Sequence, residues 1–157
     1  MITFKYADNI IDFKIVFDFL NKDTIYPNFH HWFWNKVVPS VLINNDKIII
    51  CYSNKKLAGI SIIKNYGEEK LRCFKMDNDF KKSIYVIKFL KFTLLHFINK
   101  KPLLSVSEDN FHLFSRIFIN FFNFELVQVY KGLYSKGKLE YQFNGKKDDL
   151  KKTGLPY

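Results

Sequence analysis

The chain has 157 residues, 48% of them apolar, and a formal net charge of +10 at pH 7. This length favours one domain around one core, and no uncharged apolar run reaches the roughly 18 residues that a membrane-spanning helix needs. The two cysteines, Cys51 and Cys73, are too few for a disulfide scaffold, and the N-terminal residues lack a signal-peptide layout, so we expect a cytoplasmic protein with reduced, buried thiols and no membrane partner.

The first third of the chain predicts one strand and two helices. Apolar and polar residues alternate from Ile2 to Tyr6, which indicates a short strand. Asp8 is placed to cap the helix that follows, because its side-chain oxygen can accept a free amide of the first turn. After a loop from Asn21 to Pro27, an aromatic-rich helix is expected from Asn28 to Val38. Pro39 either breaks that helix or starts a new first turn.

The middle of the chain predicts an antiparallel meander followed by a helix. Three β-rich segments are separated by short polar turns, and they cover Lys47–Tyr52, Leu57–Lys64 and Lys70–Met76. The apolar period then changes to that of a helix, from about Ser83 to Ile98. We expect Lys100-Lys101-Pro102 to end this helix.

The last third predicts a buried strand, a helix and a closing pair of strands. The segments are, in chain order, Leu103–Val106, Asn110–Phe121, Phe124–Tyr130 and Leu139–Phe143. Lys136-Gly137-Lys138, between Leu133–Ser135 and the last strand, favours a hairpin turn. We expect a single domain over residues 1–145 and a polar tail over 146–157 that frays.

The order of these elements, β-α-α-β-β-β-α-β-α-β-β, resembles the GNAT superfamily of N-acetyltransferases from Met1 to Gly145. Local sequence patterns add to the resemblance. They are Leu57-Ala58-Gly59-Ile60-Ser61-Ile62, which is similar to the third strand of the family; the strand, loop and helix from Met76 to Leu90; and Ser105 to Asn110, followed at a distance by Phe122-Asn123-Phe124, where Asn123 stands for a glycine. The resemblance implies an α/β (α+β) fold with a mixed, mostly antiparallel central sheet and helices on both faces.

The same resemblance implies that acetyl-CoA is the co-substrate and lies in a V-shaped gap between two diverging strands. Its pantetheine arm would pair with the backbone of the strand that ends at Met76. Its pyrophosphate would meet amides at the start of the next helix, where unpaired N–H donors suit an anion. The implied cofactor-binding residues are Phe74, Lys75, Met76, Lys81, Lys82, Ser83, Ile84, Tyr85 and Asn110.

The chain departs from the family in the pyrophosphate loop. Ile84 and Val86 stand where the family has small residues, which let the backbone approach the phosphates closely. Positive charge on Lys81 and Lys82 and a helix cap by Ser83 would compensate in part. An ordinary capped helix start with two solvated lysines is the plainer interpretation of the same residues.

A second departure concerns proton transfer. Many members of the family use a Tyr on their last helix to protonate the leaving thiolate. The predicted helix from Asn110 to Phe121 contains none, and Phe118 or Ile119 stands near that position. A phenylalanine cannot donate a proton, so water would have to replace the tyrosine.

Four residues are candidates for the base that accepts the proton of the amine. The resemblance points to Glu69, in the turn before the strand that lines the gap, and Asp77 lies at the end of that strand. His30 and His31 begin the second helix, and a histidine with a pKa near neutrality suits general base catalysis. We expect one of the two to face outward and one inward. No HxxxH or CxxC spacing is present, so we expect no metal site.

The sequence therefore predicts an N-acyltransferase that moves acetyl from acetyl-CoA to an amine of a small molecule or protein. A GNAT-fold binding or regulatory protein without catalysis is one alternative. An acyltransferase that takes its acyl group from acyl carrier protein is another, with His30 or His31 and Asp77 in its site. Arg72 and Arg116 are the only arginines, so no nucleic-acid partner is expected except an aminoacyl-tRNA acceptor. The chain is expected to be a monomer or homodimer.

Overall fold

The computed structural model describes residues 1–24 and 26–152, without the side chains of Ser83 and Lys152. Within these residues the strands form two antiparallel sheets. The first sheet contains, in spatial order, β1 (Ile2–Tyr6), β2 (Asp46–Ser53), β3 (Lys56–Lys64) and β4 (Lys70–Met76). The second contains β5 (Leu104–Ser107), β7 (Leu139–Phe143) and β6 (Leu126–Lys131), with β7 in the middle.

The helices lie between the strands in the predicted order. They are α1 (Ile10–Asn21); α2 (Phe29–Trp32), which continues through a π-helical turn (Phe33–Val37) into α3 (Val38–Leu42); a 3-10 turn (Asn78–Phe80) before α4 (Ser83–Leu94); α5 (Glu108–Arg116), which continues into a π-helical turn (Ile117–Phe121); and α6 (Asp149–Lys152). Among the described helices, none is both long and apolar enough to cross a membrane.

The first sheet is buried on both faces, which explains its continuous apolar strands. On β2, Ile49 and Cys51 pack against α4 and α5, whereas Ile48 and Ile50 pack against α1 and α2. Each such side chain stabilises the fold by roughly 1.5–3 kcal/mol relative to an exposed one. Antiparallel sheets with helices on both faces confirm the predicted fold class.

Strands β4 and β5 meet at one end and separate at the other. The amide of Leu71 donates to the carbonyl of Leu103 at 2.9 Å, and the amide of Leu103 donates to the carbonyl of Glu69 at 3.0 Å. The bridge between Lys70 and Leu103 is parallel, and beyond it the two strands belong to different sheets. A wedge therefore opens between them, with its closed end at this bridge and its open end toward Met76.

Two helix starts differ in detail from the sequence predictions, and a third agrees with one of two predicted alternatives. Asn9, not Asp8, caps α1, because its side-chain oxygen accepts the amide of Asp12 at 3.0 Å. Pro39 restarts the helix: it lies in the first turn of α3, where its missing N–H breaks no hydrogen bond of that helix. The N-cap of α4 is Lys82, so Ser83 is the first helical residue and not the cap.

Two predicted boundaries are wrong, and in each case a hydrogen bond outside the predicted element lies at the boundary. The carboxylate of Glu69 accepts the amide of Ile98 at 2.8 and 3.0 Å, and α4 ends at Leu94 in place of Ile98. Leu133–Ser135 is not a strand. The amide of Gly132, at φ +70°, donates to the carbonyl of Lys138 and closes a loop instead.

The polar segment after Gly145 does not fray in its described part. Leu150 on α6 is buried against Leu103 and Tyr130. The amide of Lys146 also donates to Asp149 Oδ2 at 2.7 Å. The segment 146–152 therefore packs on the second sheet, and residues 153–157 of the predicted tail lie outside the described residues.

Candidate functional site

A cleft of about 480 Å³ occupies the wedge between β4 and β5. Its walls are the two strands, the end of α1 with the loop after it, α2, the 3-10 turn and α5. The side chains that matter below are Tyr26, Lys70, Cys73, Phe74, Lys75, Met76, Asp77, Lys81, Ser105, Asn110, Phe118 and Tyr134. Six of the residues predicted for the site are in this set: Phe74, Lys75, Met76, Asp77, Lys81 and Asn110.

The edge of β4 that faces the cleft carries free backbone groups. The amide of Asp77 donates to Ala58 on β3 at 2.9 Å. Amide directions alternate along a strand, so the amides of Phe74 and Met76 point to the opposite edge, into the cleft. An extended ligand can therefore pair with β4 as an additional strand would.

The start of α4 lies next to the open end of the cleft. The amides of Tyr85 and Val86 close the first turn on the carbonyl of Lys82 at 3.1 and 3.3 Å, so the amides of Ser83 and Ile84 precede the first intrahelical bond. Ile84 is 52% exposed and Val86 is fully buried in the core. Neither side chain lines the cleft, so the β-branched residues do not fill the space that a diphosphate would need.

Lys75 and Asp77 hold the walls of the cleft in place. Lys75 Nζ donates to the carbonyl of Phe19 at 3.0 Å and thereby ties β4 to the end of α1. Burial lowers the pKa of this lysine. Asp77 Oδ1 accepts the amide of Asp79 at 3.0 Å and caps the 3-10 turn.

The cysteines offer no nucleophile. Cys51 is buried in the core, as expected, and Cys73 is half-buried in the wall of the cleft. Burial raises the pKa of the Cys73 thiol to about 12. Because the thiolate is the reactive form of cysteine, a thiol with a raised pKa is a poor nucleophile. Cys73 therefore serves as part of the cleft wall. Within the described residues, no group of His, Cys, Asp and Glu side chains is arranged to hold a metal ion.

The structure does not bring the other base candidates to the cleft. His30 and His31 are both exposed, whereas one was expected to face inward, because α2 buries Phe29 and Trp32 in their place. Neither histidine lines the cleft that contains Asp77, although the acyl-carrier alternative needs them together. Glu69 also lies outside the lining and accepts the amide of Ile98.

A polar cluster at the closed end of the cleft has no counterpart in the sequence predictions. We call Tyr26, Lys70, Ser105, Tyr134 and Glu140 the closed-end cluster. The hydroxyl group of Tyr26 donates a hydrogen bond to Glu140 Oε1 at 3.2 Å. The Tyr26 ring packs edge-on against the Tyr134 ring, with 5.7 Å between the ring centroids. Four of the five residues line the cleft, and Glu140 lies behind them on β7.

Burial determines the electrostatics of this cluster. Glu140 is 4% exposed, and burial raises its pKa to about 7. Burial also lowers the pKa of Lys70 to about 8, although the nearby carboxylates of Glu68 and Glu140 oppose that shift. The pKa of the Tyr134 phenol is raised, first by burial and then by the charge of Glu140. Burial thus shifts the pKa values of Glu140 and Lys70 toward neutrality from opposite sides.

The charges that line the cleft favour an anionic ligand. The cationic side chains are Lys22, Lys70, Arg72, Lys75 and Lys81, and the acidic ones are Asp23, Asp77 and Asp109. Among these cleft-lining cations, Lys81 is nearest in sequence to the start of α4, where the helix adds partial positive charge. The free edge of β4, the first-turn amides of α4 and this charge together fit an extended ligand that ends in phosphates.

The amino-acid sequence matches no protein-family model and no curated protein. Solved structures match closely in fold. An acetyltransferase of the GNAT family from Bacillus cereus is 18% identical, with 94% of this chain and 98% of that chain covered and a TM-score of 0.67. The ribosomal-protein-S18-alanine N-acetyltransferase of Escherichia coli is 14% identical, with coverages of 91% and 92% and a TM-score of 0.68.

A third similar structure was solved with the coenzyme. In the NatC complex bound to Gag peptide and CoA, the matching chain is 11% identical, with 90% of this chain and 96% of that chain covered and a TM-score of 0.69. At these identities the likeness concerns the backbone and not the site residues. With its element order, its diverging strands β4 and β5 and these neighbours, the chain has the fold of the GNAT acetyltransferases.

Proposed function

We propose that this protein is an N-acetyltransferase that binds acetyl-CoA in the cleft and transfers the acetyl group to an amine. The observation that supports this most is the separation of β4 from β5 beyond the bridge at Leu103, which leaves an open cleft beside a free strand edge. A structure of the same fold contains CoA. The acceptor is proposed as a primary amine of a small molecule or of a protein.

The orientation of the coenzyme follows from the two ends of the cleft. The pantetheine arm would pair with the amides of Phe74 and Met76. The diphosphate would meet Lys81 and the amides of Ser83 and Ile84, because unpaired N–H groups at a helix start bind anions well. The thioester then lies toward the closed end, and the amine reaches it past Tyr26 and Tyr134.

A matched pair of variants on α5 tests this proposal. Asn110 is exposed and lines the cleft, whereas His112, two residues further on, is exposed and does not. We expect Asn110→Trp to weaken acetyl-CoA binding at least tenfold, because the indole would enter the path of the ligand, and His112→Trp to bind as the wild type does. Isothermal titration with acetyl-CoA measures both. Absence of binding to the wild-type protein at millimolar ligand would contradict the proposal.

Catalysis itself is tested by release of free thiol from acetyl-CoA in the presence of a defined set of amines. One observation favours a binding or regulatory protein instead: the π-helical turn after α5 contributes Phe118 to the cleft lining, near the position where many members of the family have Tyr, and Phe118 cannot donate a proton. Binding of acetyl-CoA without thiol release from any of the amines would support this second function.

A further inference from the structure

Glu140 is a buried carboxyl group in an unusual place for a structural residue. It lies on β7, the central strand of the second sheet, and is 4% exposed. Burying a carboxylate is costly unless hydrogen bonds compensate. Part of the compensation comes from outside its own sheet, since Tyr26, which is 114 positions away in the chain, donates to Oε1 at 3.2 Å. Ser105 on β5 also hydrogen-bonds the carboxyl group.

The position of Tyr26 links this carboxyl group to the cleft. Tyr26 lines the cleft, together with Lys70, Ser105 and Tyr134, while Glu140 lies behind this layer. Tyr26 therefore contacts the carboxylate through its hydroxyl group and also lines the cleft. The fold brings the loop after α1, the strands β4, β5 and β7, and the loop after β6 together at this point.

We propose that Glu140, acting through the hydroxyl group of Tyr26, accepts the proton that the amine loses during acetyl transfer. This inference rests on the proposed function. In the step, the amine nitrogen bonds to the acetyl carbonyl carbon and the carbon–sulfur bond of the thioester breaks. The amine proton passes to Tyr26 Oη as Tyr26 gives its own proton to Glu140 Oε1. The thiolate leaves and takes a proton from water, and Glu140 later returns its proton to solvent.

The surroundings of Glu140 suit this role. The groups that face it are Ser105 on β5, Lys70 on β4, Tyr26 after α1 and Tyr134 after β6. Burial raises the pKa of Glu140 to about 7, and the hydrogen bonds from Ser105 and Tyr26 and the charge of Lys70 limit the rise. A general base works best with a pKa near the operating pH. Tyr26 conducts the proton, and Glu140 accepts it without touching the substrate.

Three variants test this inference. Glu140→Gln keeps the shape of the side chain and removes the proton-accepting group, and Tyr26→Phe removes the hydroxyl group that connects Glu140 to the cleft. Glu125→Gln is the control, because it makes the same chemical change at an exposed position. Thermal unfolding and acetyl-CoA binding of the wild type and the three variants are measured first. We expect near-wild-type binding in all three variants, because Glu140 and Glu125 do not line the cleft and Tyr26→Phe keeps the aromatic ring and removes only a hydroxyl group. Failure of the wild type to bind acetyl-CoA would count against the proposed function, and normal binding isolates the question of Glu140.

Thiol release is then followed against pH, with the best amine from amino-acid amides, spermidine and short peptides. We expect the wild-type rate to rise with pH through an apparent pKa near about 7. Removal of a general base typically costs about 100-fold. Glu140→Gln and Tyr26→Phe should therefore lose about that factor in kcat, and their rates should no longer rise with pH through this range. Glu125→Gln should keep the wild-type kcat and pH dependence. A Glu140→Gln protein with the wild-type rate and limb would overturn the inference.

A second measurement decides the matter if none of these amines is accepted. The side-chain carboxyl ¹³C resonance of Glu140, assigned by its absence in Glu140→Gln, is titrated with acetyl-CoA present. A midpoint near neutrality that moves upward in Tyr26→Phe supports the connection, because the hydrogen bond from Tyr26 stabilises the carboxylate. A midpoint near the ordinary value for Glu, or one unchanged by Tyr26→Phe, would overturn it.

Discussion

At the scale of single residues, the start of α4 shows that large side chains leave room for a ligand when they point away from its site. Ile84 and Val86 occupy positions where the family uses small residues. Ile84 points to solvent and Val86 into the core, so the backbone amides of the first turn stay accessible. Backbone donors do not depend on residue type. The departure seen in the sequence therefore does not close the cleft.

Two adjacent lysines allow a residue-level test of the phosphate end. Lys81 is half-buried and lines the cleft, whereas Lys82 is exposed and does not. Lys81→Ala should weaken acetyl-CoA binding about tenfold, since a hydrogen bond to a charged group contributes about 1.5–3 kcal/mol before solvent screening. Lys82→Ala should weaken it less. Equal losses in the two variants at physiological ionic strength would argue against Lys81 as a specific phosphate ligand.

Glu140 also predicts how stability depends on pH. Its pKa is raised from the ordinary value of 4.5 to about 7 in the folded protein. A raised carboxyl pKa stabilises the folded state fully below the unfolded pKa, and that stabilisation is lost as pH rises through the folded pKa. Urea unfolding from about pH 5 to 8 should show the wild type losing more stability than Glu140→Gln over this window. Parallel pH profiles would contradict the assignment of the shift to Glu140.

Residue type predicted some positions and could not predict others. Asn123, which stands in place of a glycine, has a φ of +56°, and Asn enters this left-handed region readily. Glu140, by contrast, alternates with apolar residues between Leu139 and Phe143 and looks like a solvent-facing strand residue. Its burial depends on Tyr26 and Tyr134, which approach from distant loops, and local sequence carries no signal for that approach.

At the scale of elements, the close pairing of β3 with β4 depends on Gly59. This residue pairs with Met76, and a Cβ placed on it would lie 2.7 Å from Met76 Sδ and 2.9 Å from the carbonyl oxygen of Lys75. The second contact is with backbone, which cannot rotate away as a side chain can. The small residue therefore fixes the position of the strand whose other edge faces the cleft.

Gly59→Val should accordingly destabilise the fold and disturb the cleft together. Overpacking a core typically costs about 1–3 kcal/mol. We expect a fall in the denaturation midpoint of about this size and weaker acetyl-CoA binding. Gly137→Ala is a useful comparison, because this glycine lies in the loop before β7 with no atom near its Cβ position and only backbone strain at φ +76°. A Gly59→Val protein as stable as the wild type would contradict the packing argument.

The elements were predicted well in kind and order, because each has its own apolar period. Their ends were predicted less well where a contact outside the element helps to set them. The end of α4 depends on Glu69, which precedes β4, and the loop after β6 depends on the bond between Gly132 and Lys138. Neither contact is visible from the pattern of the element that it terminates.

At the scale of the whole molecule, the proposed function depends on one topological feature. Within the described residues the two sheets join through one isolated bridge, between Lys70 and Leu103, and helices cover both faces of the first sheet. No local pattern in β4 or β5 predicts that they diverge, and only the resemblance of the whole element order did so. The net charge of +10 spreads over the chain, whereas the cationic lining of the cleft is the part that bears on a phosphate-bearing ligand.

Hydrogen exchange with and without acetyl-CoA tests the central claim most directly, because it reports on backbone amides one by one. We predict that the coenzyme slows exchange at Phe74 and Met76, on the cleft edge of β4, and at Ser83 and Ile84, at the start of α4. The amide of Asp77, which donates to the carbonyl of Ala58 on β3 and points away from the cleft, should change little. Protection at some other surface, or none at these four amides under saturating acetyl-CoA, would contradict the account.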